Sequence, residues 1–195
     1  MLFIADEVIC GFGRTGNWFG TTTMGMTPNS ISMAKAITSA YFPLSALTVE
    51  EDLYQAMLDE SRKIGTFGHG FTYSGHPVAA AVALRNIEIM EREGLVEKVR
   101  NETGPHLAKA LAKLNDHPLV GEARGVGMIG ALELVADKAS RQFFPKRGAV
   151  GTLCRDHCFR EGLVMRAVRD TMIISPPLIL TREHVDELVG KAHRC

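Results

Sequence analysis

Three groupings of residues in this chain have types and spacings that could do chemistry. The first is Asp6, inside the apolar run LFIADEVI, with Lys35 following 29 residues later in SMAKAI. A carboxylate and an amine among apolar neighbours each need a partner, because burying an unpaired charge is costly. An Asp6–Lys35 ion pair or two unrelated surface charges would satisfy that need, and neither residue by itself announces a bound group. The second grouping is Gly11-x-Gly13-x-x-Gly16, which formally matches the dinucleotide fingerprint. That fingerprint needs a helix to open at the third glycine, so that its N-terminus faces pyrophosphate. Asn17-Trp18-Phe19-Gly20-Thr21 follows without helical period, and Asp6 and Glu7 precede the loop, where they would repel phosphate. A tight glycine turn is the expectation, and NAD is not. The third is Cys154-x-x-His157-Cys158. Helical spacing puts both cysteines on one face, where a metal pair is conceivable. With no second matching pair elsewhere, two small buried cysteines on an amphipathic helix are expected and no metal.

These residues need elements to position them. Residues 2–9 read as a short strand buried in a parallel sheet. Residues 17–29 read as loop, SISMAKAIT as a short mixed run with Lys35 near an element end, and SALTVE as another strand. Residues 50–63 have helical spacing with Leu53, Met57 and Ala56 inward. A glycine-rich loop over 64–75 leads to a helix from Pro77, a favourable first-turn position, to a cap at Gly94. Residues 95–115 predict a second helix broken at Gly104-Pro105. From Arg124 the pattern changes. GVGMIGALELV reads as strand, AVGTLCRDHCFREG as helix, LVMRAV and MIISPP as strands, and TREHVDELVGKAH as a helix capped by threonine. Alternation of this kind argues for an α/β architecture, with a domain boundary near residue 95.

Composition excludes several classes. Lys+Arg and Asp+Glu both number 22, so no global field would draw in nucleic acid or an anionic membrane. No apolar run approaches the roughly 18 residues that span a bilayer. The N-terminus lacks a basic leader, and four cysteines without framework spacing fit a reducing, cytoplasmic setting. A chain that opens directly in an interior-type strand hints at residues missing upstream.

Five segments in order, ADEVICGFGRTG, SMAKAITSAYFPLSA, HGFTYSGHPVAAAVA, ARGVGMIGALELV and SPPLILT, resemble the class III aminotransferases, which depend on pyridoxal 5'-phosphate (PLP). The resemblance runs from residue 2 to the end and is nearest to the omega-transaminases. It implies PLP-dependent transferase fold type I, with residues 1–95 as the C-terminal part of the large PLP-binding domain and 96–195 as a small C-terminal α/β domain. By the same resemblance Lys35 takes the Schiff-base position, and its freed amine then carries the substrate proton. Asp6 matches the partner of the pyridinium nitrogen, which keeps the ring an electron sink. Val8, two residues on and on the same face of the strand, matches the residue that packs on the ring.

Thr72, with Phe71 beside it, matches a threonine that reaches the phosphate of a neighbouring subunit's cofactor, so a homodimer with shared active sites is implied. Arg166 in VMRAV matches an arginine that grips the acceptor's carboxylate by bidentate pairing. Relatives acting on ornithine or 4-aminobutyrate carry an arginine at the position aligned with Ile173, which favours the omega-transaminase branch. Arg14 reads as structural, holding its loop. The expected reaction moves an amino group from a primary amine or omega-amino acid to a 2-oxo acid such as pyruvate. Alternatives are a truncated fragment inactive on its own and a relative with another reaction, such as an aminomutase or decarboxylase. Two departures stand against the family pattern. Sequence that would carry the phosphate-holding turn, the stacking aromatic and several strands is absent before Asp6, and Ala36 follows the lysine where glycine is common.

Overall fold

The computed structural model describes residues 1–195 as two compact units. The first comprises Met1–Gly13 and Asn17–Gly94; the second comprises Arg14–Gly16 and Leu95–Cys195.

In the first unit, strands β1 (Ile4–Asp6), β2 (Ser30–Met33) and β3 (Ala46–Val49) form a sheet in that order. β1 and β2 are parallel, with Asp6 opposite Ser32, and β3 returns antiparallel with Ala46 opposite Met33. A parallel pair requires a crossover, and residues 7–29 supply it, including a short helix α1 (Gly20–Met24) within the stretch expected to be loop. β1 is an edge strand of three residues, not the eight of the apolar run, and Leu2, Phe3 and Ile4 are exposed. Side chains alternate across a strand, so Ala5 and Glu7 take the covered side while Ile4 and Asp6 take the open one.

Helix α2 (Glu51–Ile64) matches its expected span but buries no residue. The inward set is corrected by this: Leu53 is only half-buried, and Ala56 and Met57 are exposed. Helix α3 (Pro77–Arg92) begins with Pro77, whose missing N–H costs nothing there, and His76 Nδ1 accepts from Val78 N at 3.2 Å. Ala79, Ala83 and Met90 form its buried stripe.

In the second unit, α4 (Leu95–Lys98) runs through a π-helical turn, Val99–Thr103, into α5 (Gly104–Ala112). The helix is not broken at Gly104-Pro105: Gly104 stays helical at φ −64°, and the irregularity is the π turn before it, where a Cβ at 104 would lie 2.4 Å from the Val99 carbonyl oxygen. GVGMIGALELV is not one strand. It contributes to a hairpin of β4 (Val120–Val126) and β5 (Ile129–Leu134), turning at Gly127 with φ 55°. Helix α6 (Ala149–Arg160) precedes strands β6 (Arg166–Val168) and β7 (Thr171–Ile174), and α7 (Arg182–Arg194) ends the chain. Thr181 and His184 close a reciprocal capping box at the start of α7. The four strands order β4-β5-β7-β6, all antiparallel. Val99, Leu107, Leu111, Met128, Met172 and Val185 are fully or almost fully buried at the centre of this unit's core.

Candidate active site

β1 and β2 end side by side, and the carboxyl ends of parallel strands are where α/β sheets place ligands. Asp6 is the last residue of β1, and Ser32 Oγ approaches its Oδ1 at 3.5 Å from β2. Asp6 is exposed, not buried, which corrects the sequence expectation; its Oδ1 also accepts from Val8 N at 3.0 Å. That bond, from a backbone N–H two residues on, is the local turn that aspartate favours. It ends the strand, so Val8 stands in a turn rather than two places further along β1.

Lys35 starts a 3-10 turn, Lys35–Ile37, two residues beyond the end of β2. It forms no ion pair and no hydrogen bond from its ammonium, so the simple Asp6–Lys35 salt bridge is not how these charges are arranged. Its backbone has φ 47°, and Ser39 and Ala40 follow at 48° and 64°. Such conformations cost L-residues on the order of 1–2 kcal/mol each. Asn86 of α3 closes this turn: its Nδ2 donates to the carbonyls of Ala36 at 2.9 Å and Ile37 at 3.2 Å, and its Oδ1 accepts from Ser39 Oγ at 2.7 Å. Asn86 escaped the sequence reading, since an amide inside a helical period carries no signal of a distant partner.

Glu7, not Asp6, is the buried carboxylate, 2% exposed. Its oxygens accept from Gly20 N at 2.9 Å and Thr21 N at 2.5 Å, capping the first turn of α1. This answers the glycine fingerprint. A helix does open after the loop, but later than required and with a protein carboxylate already at its N-terminus. Gly13 and Gly16 hold φ 90° and 89°, conformations for which glycine is the default.

Phe71 and Thr72 lie in the exposed loop before α3, where Phe71 N donates to Ser74 Oγ at 3.1 Å. No hydrogen bond or ion pair joins Thr72 to Asp6 or Lys35 within this chain.

In the second unit, Arg166 opens β6 directly opposite Ile173 of β7, and both line a cavity of about 380 Å³ with Ser175, Pro176 and Pro177. Arg14 is structural as expected. Its guanidinium donates to the carbonyls of Met128, at 2.8 Å, and Pro176, and Met128 N donates back to the Arg14 carbonyl. Asp170, 6% exposed, accepts from Gly148 N at 2.7 Å and Gly151 N at 2.9 Å, so it caps α6 from the β6–β7 turn. Cys154 and Cys158 line a second cavity of about 250 Å³ with Cys195, and burial pushes both thiols above their ordinary pKa. No three His, Cys, Asp or Glu side chains are grouped to hold a metal ion.

The family model for aminotransferase class-III matches residues 1–195. A putrescine–pyruvate aminotransferase of Pseudomonas aeruginosa is 56% identical over 195 residues, covering all of this chain and 42% of that protein. The mitochondrial gamma aminobutyrate transaminase 1 of Solanum lycopersicum is 43% identical over 197 residues, covering all of this chain and 38% of that protein. Among solved structures, a transaminase with L-Ala superimposes with a TM-score of 0.96 at 47% identity, over all of this chain and 46% of the other. The omega transaminase of Pseudomonas jessenii in complex with PMP gives 0.95 at 42% identity, over all of this chain and 43% of the other. The chain thus spans less than half the length of the relatives it matches. With the match running from the first residue to the last, this chain belongs to the class III aminotransferase family.

Proposed function

We propose that this chain is the catalytic-lysine part of a PLP-dependent transaminase that moves an amino group from a primary amine or omega-amino acid to a 2-oxo acid such as pyruvate. One observation carries the reading most: an unpartnered lysine in a strained turn follows β2 by two residues, and a solvent-facing carboxylate, in register with Ser32 of β2, ends the parallel β1. The donor set fits the cofactor, because the amine is unpaired and the Asp6 carboxylate keeps lone pairs beyond the Val8 N–H. When bound, PLP supplies a protonated pyridine ring that accepts the electron pair released at the substrate carbon.

Lys35 would hold the cofactor through its Nζ. The same Nζ, when free, would be the base that takes the proton from the substrate carbon and the acid that gives it back. Asp6 would hold the ring nitrogen, and Val8 would bear on the ring. Phe71 and Thr72, exposed on their loop, serve the cofactor phosphate of a second subunit, which makes a homodimer the working form. Arg166 grips the acceptor's carboxylate through its forked donors. Ile173 opposite it offers no second cation, so a donor without a carboxylate meets no competing anchor; this and the putrescine–pyruvate relative support the amine-plus-pyruvate class. Residues 1–95 then belong to the large PLP-binding domain and 96–195 to the small one. Four free cysteines suit a reducing, cytoplasmic compartment.

The test is an absorbance spectrum of the protein with added PLP, before and after borohydride, beside Lys35→Ala. A visible band fixed by reduction onto Lys35 and missing in the variant supports the assignment. A band that survives in the variant refutes it. Amine-dependent conversion of pyruvate to alanine then tests the substrate class.

A further inference from the structure

The turn that carries Lys35 is held in a shape that its own sequence does not favour. Lys35, Ser39 and Ala40 all have positive φ and none is glycine, so surrounding structure must hold them. Before the turn, β2 is fixed by pairing, with Met33 opposite Ala46. Within it, Ile37 and Thr38 are buried, and Thr38 Oγ donates to the Phe42 carbonyl at 2.6 Å. Beyond it, a single side chain from another element spans the turn. Asn86 donates to two successive carbonyls, Ala36 and Ile37, and accepts from Ser39 on the far side. That network sets the amide's orientation, since the flipped amide would aim its oxygen at two carbonyl oxygens. The platform is stiff, because α3 buries Ala79, Ala83 and Met90 on either side of Asn86. Asn86 therefore grips the residue after Lys35 from a fixed helix, and the lysine's backbone is clamped between the strand before it and the amide after it.

We infer that Asn86 is a positioning residue for Lys35, setting the direction from which its Nζ meets the cofactor; the inference rests on the reading of Lys35 as the cofactor-bearing lysine. Nothing about Asn86 touches the reacting atoms. Its effect passes through the backbone of residues 36 and 37, so its loss misaims the amine without removing it.

The experiment uses the PLP-loaded protein with Asn86→Asp, Asn86→Ala, Ser39→Ala and Lys35→Ala. Asn86→Asp keeps the shape and still accepts from Ser39 but cannot donate to the two carbonyls. Three quantities are read: PLP affinity from the visible band, the pH midpoint of that band, and the melting temperature. Both Asn86 variants should weaken PLP binding by about tenfold and displace the pH midpoint, the scale on which a misplaced reacting group is felt. Ser39→Ala, which removes only the brace on the amide, should weaken binding by about two- to threefold. It keeps the comparison open if an Asn86 variant does not fold. A lowered melting temperature with unchanged affinity and midpoint would mean a purely structural amide and would overturn the inference. A band persisting in Lys35→Ala would instead remove the reading beneath it, so the two failures are told apart.

Discussion

Asp6 and Glu7 are adjacent carboxylates in opposite surroundings, one exposed and one buried, and exchanging each for its amide should separate the roles proposed for them. Glu7 is 2% exposed and satisfies two backbone donors at the start of α1, those of Gly20 and Thr21. Gly20 and Thr21 are themselves buried, so no solvent replaces the lost acceptor. Glu7→Ala orphans both donors. At roughly 1–3 kcal/mol for each buried unsatisfied group, the expected loss is about 3 kcal/mol. Glu7→Gln keeps one acceptor oxygen but turns an NH2 toward the other donor and removes the charge at the helix N-terminus, for about 2 kcal/mol. Asp6 is exposed, and its Oδ1 accepts from the Val8 N–H and, at 3.5 Å, from Ser32 Oγ; an amide oxygen still accepts there, so Asp6→Asn should change stability by less than about 0.5 kcal/mol. The assay is urea unfolding followed by Trp18, the single tryptophan, whose carbonyl accepts from Phe12 N at 2.6 Å in the same loop. PLP binding should show the reverse order, with Asp6→Asn severely impaired and Glu7→Gln close to wild type under conditions where it stays folded. Equal stability losses at the two positions, or a Glu7→Ala cost below about 0.5 kcal/mol, would refute the division of labour.

Other consequences are equally open to measurement. Arg14→Ala leaves the Met128 and Pro176 carbonyls without their guanidinium donor and should cost about 1–3 kcal/mol in urea unfolding, with no salt-dependent change in anion binding. Gly151→Ala places a Cβ 2.0 Å from the Arg169 carbonyl oxygen, forcing the β6–β7 turn off α6; an overpacking cost of about 3 kcal/mol should appear as a lowered melting temperature. Arg166→Ala should raise KM for pyruvate by about tenfold or more while leaving KM for a carboxylate-free amine nearly unchanged. Stability should fall as pH rises above 9.0, the ordinary thiol value, because burial raises Cys154 and Cys158 so that unfolded thiols ionise where folded ones stay protonated. That alkaline slope, read from urea midpoints between about pH 8 and 10, should shrink in Cys154→Ala/Cys158→Ala.

Local chemistry made much of this protein readable in one dimension. Pro77 at a first helical turn and the Thr181 cap depend on contacts within a few residues, so residue type announces them. The order of five motifs likewise carried the family, because each lies within a contiguous stretch. What the sequence left open depended on partners far along the chain. Which of two neighbouring carboxylates is buried was decided by α1, whose first turn reaches back 13 residues to Glu7. The extent of β1 was decided by Asp6 turning its side chain onto Val8 N–H and by pairing with β2 alone, not by the length of the apolar run. The inward face assigned to α2 failed because periodicity reports an apolar stripe, not whether anything packs against it. The brace on Lys35 was beyond any reading of spacing: Asn86 stands 50 residues from Ala36, and only the folding of α3 against that turn turns an ordinary amide into its anchor.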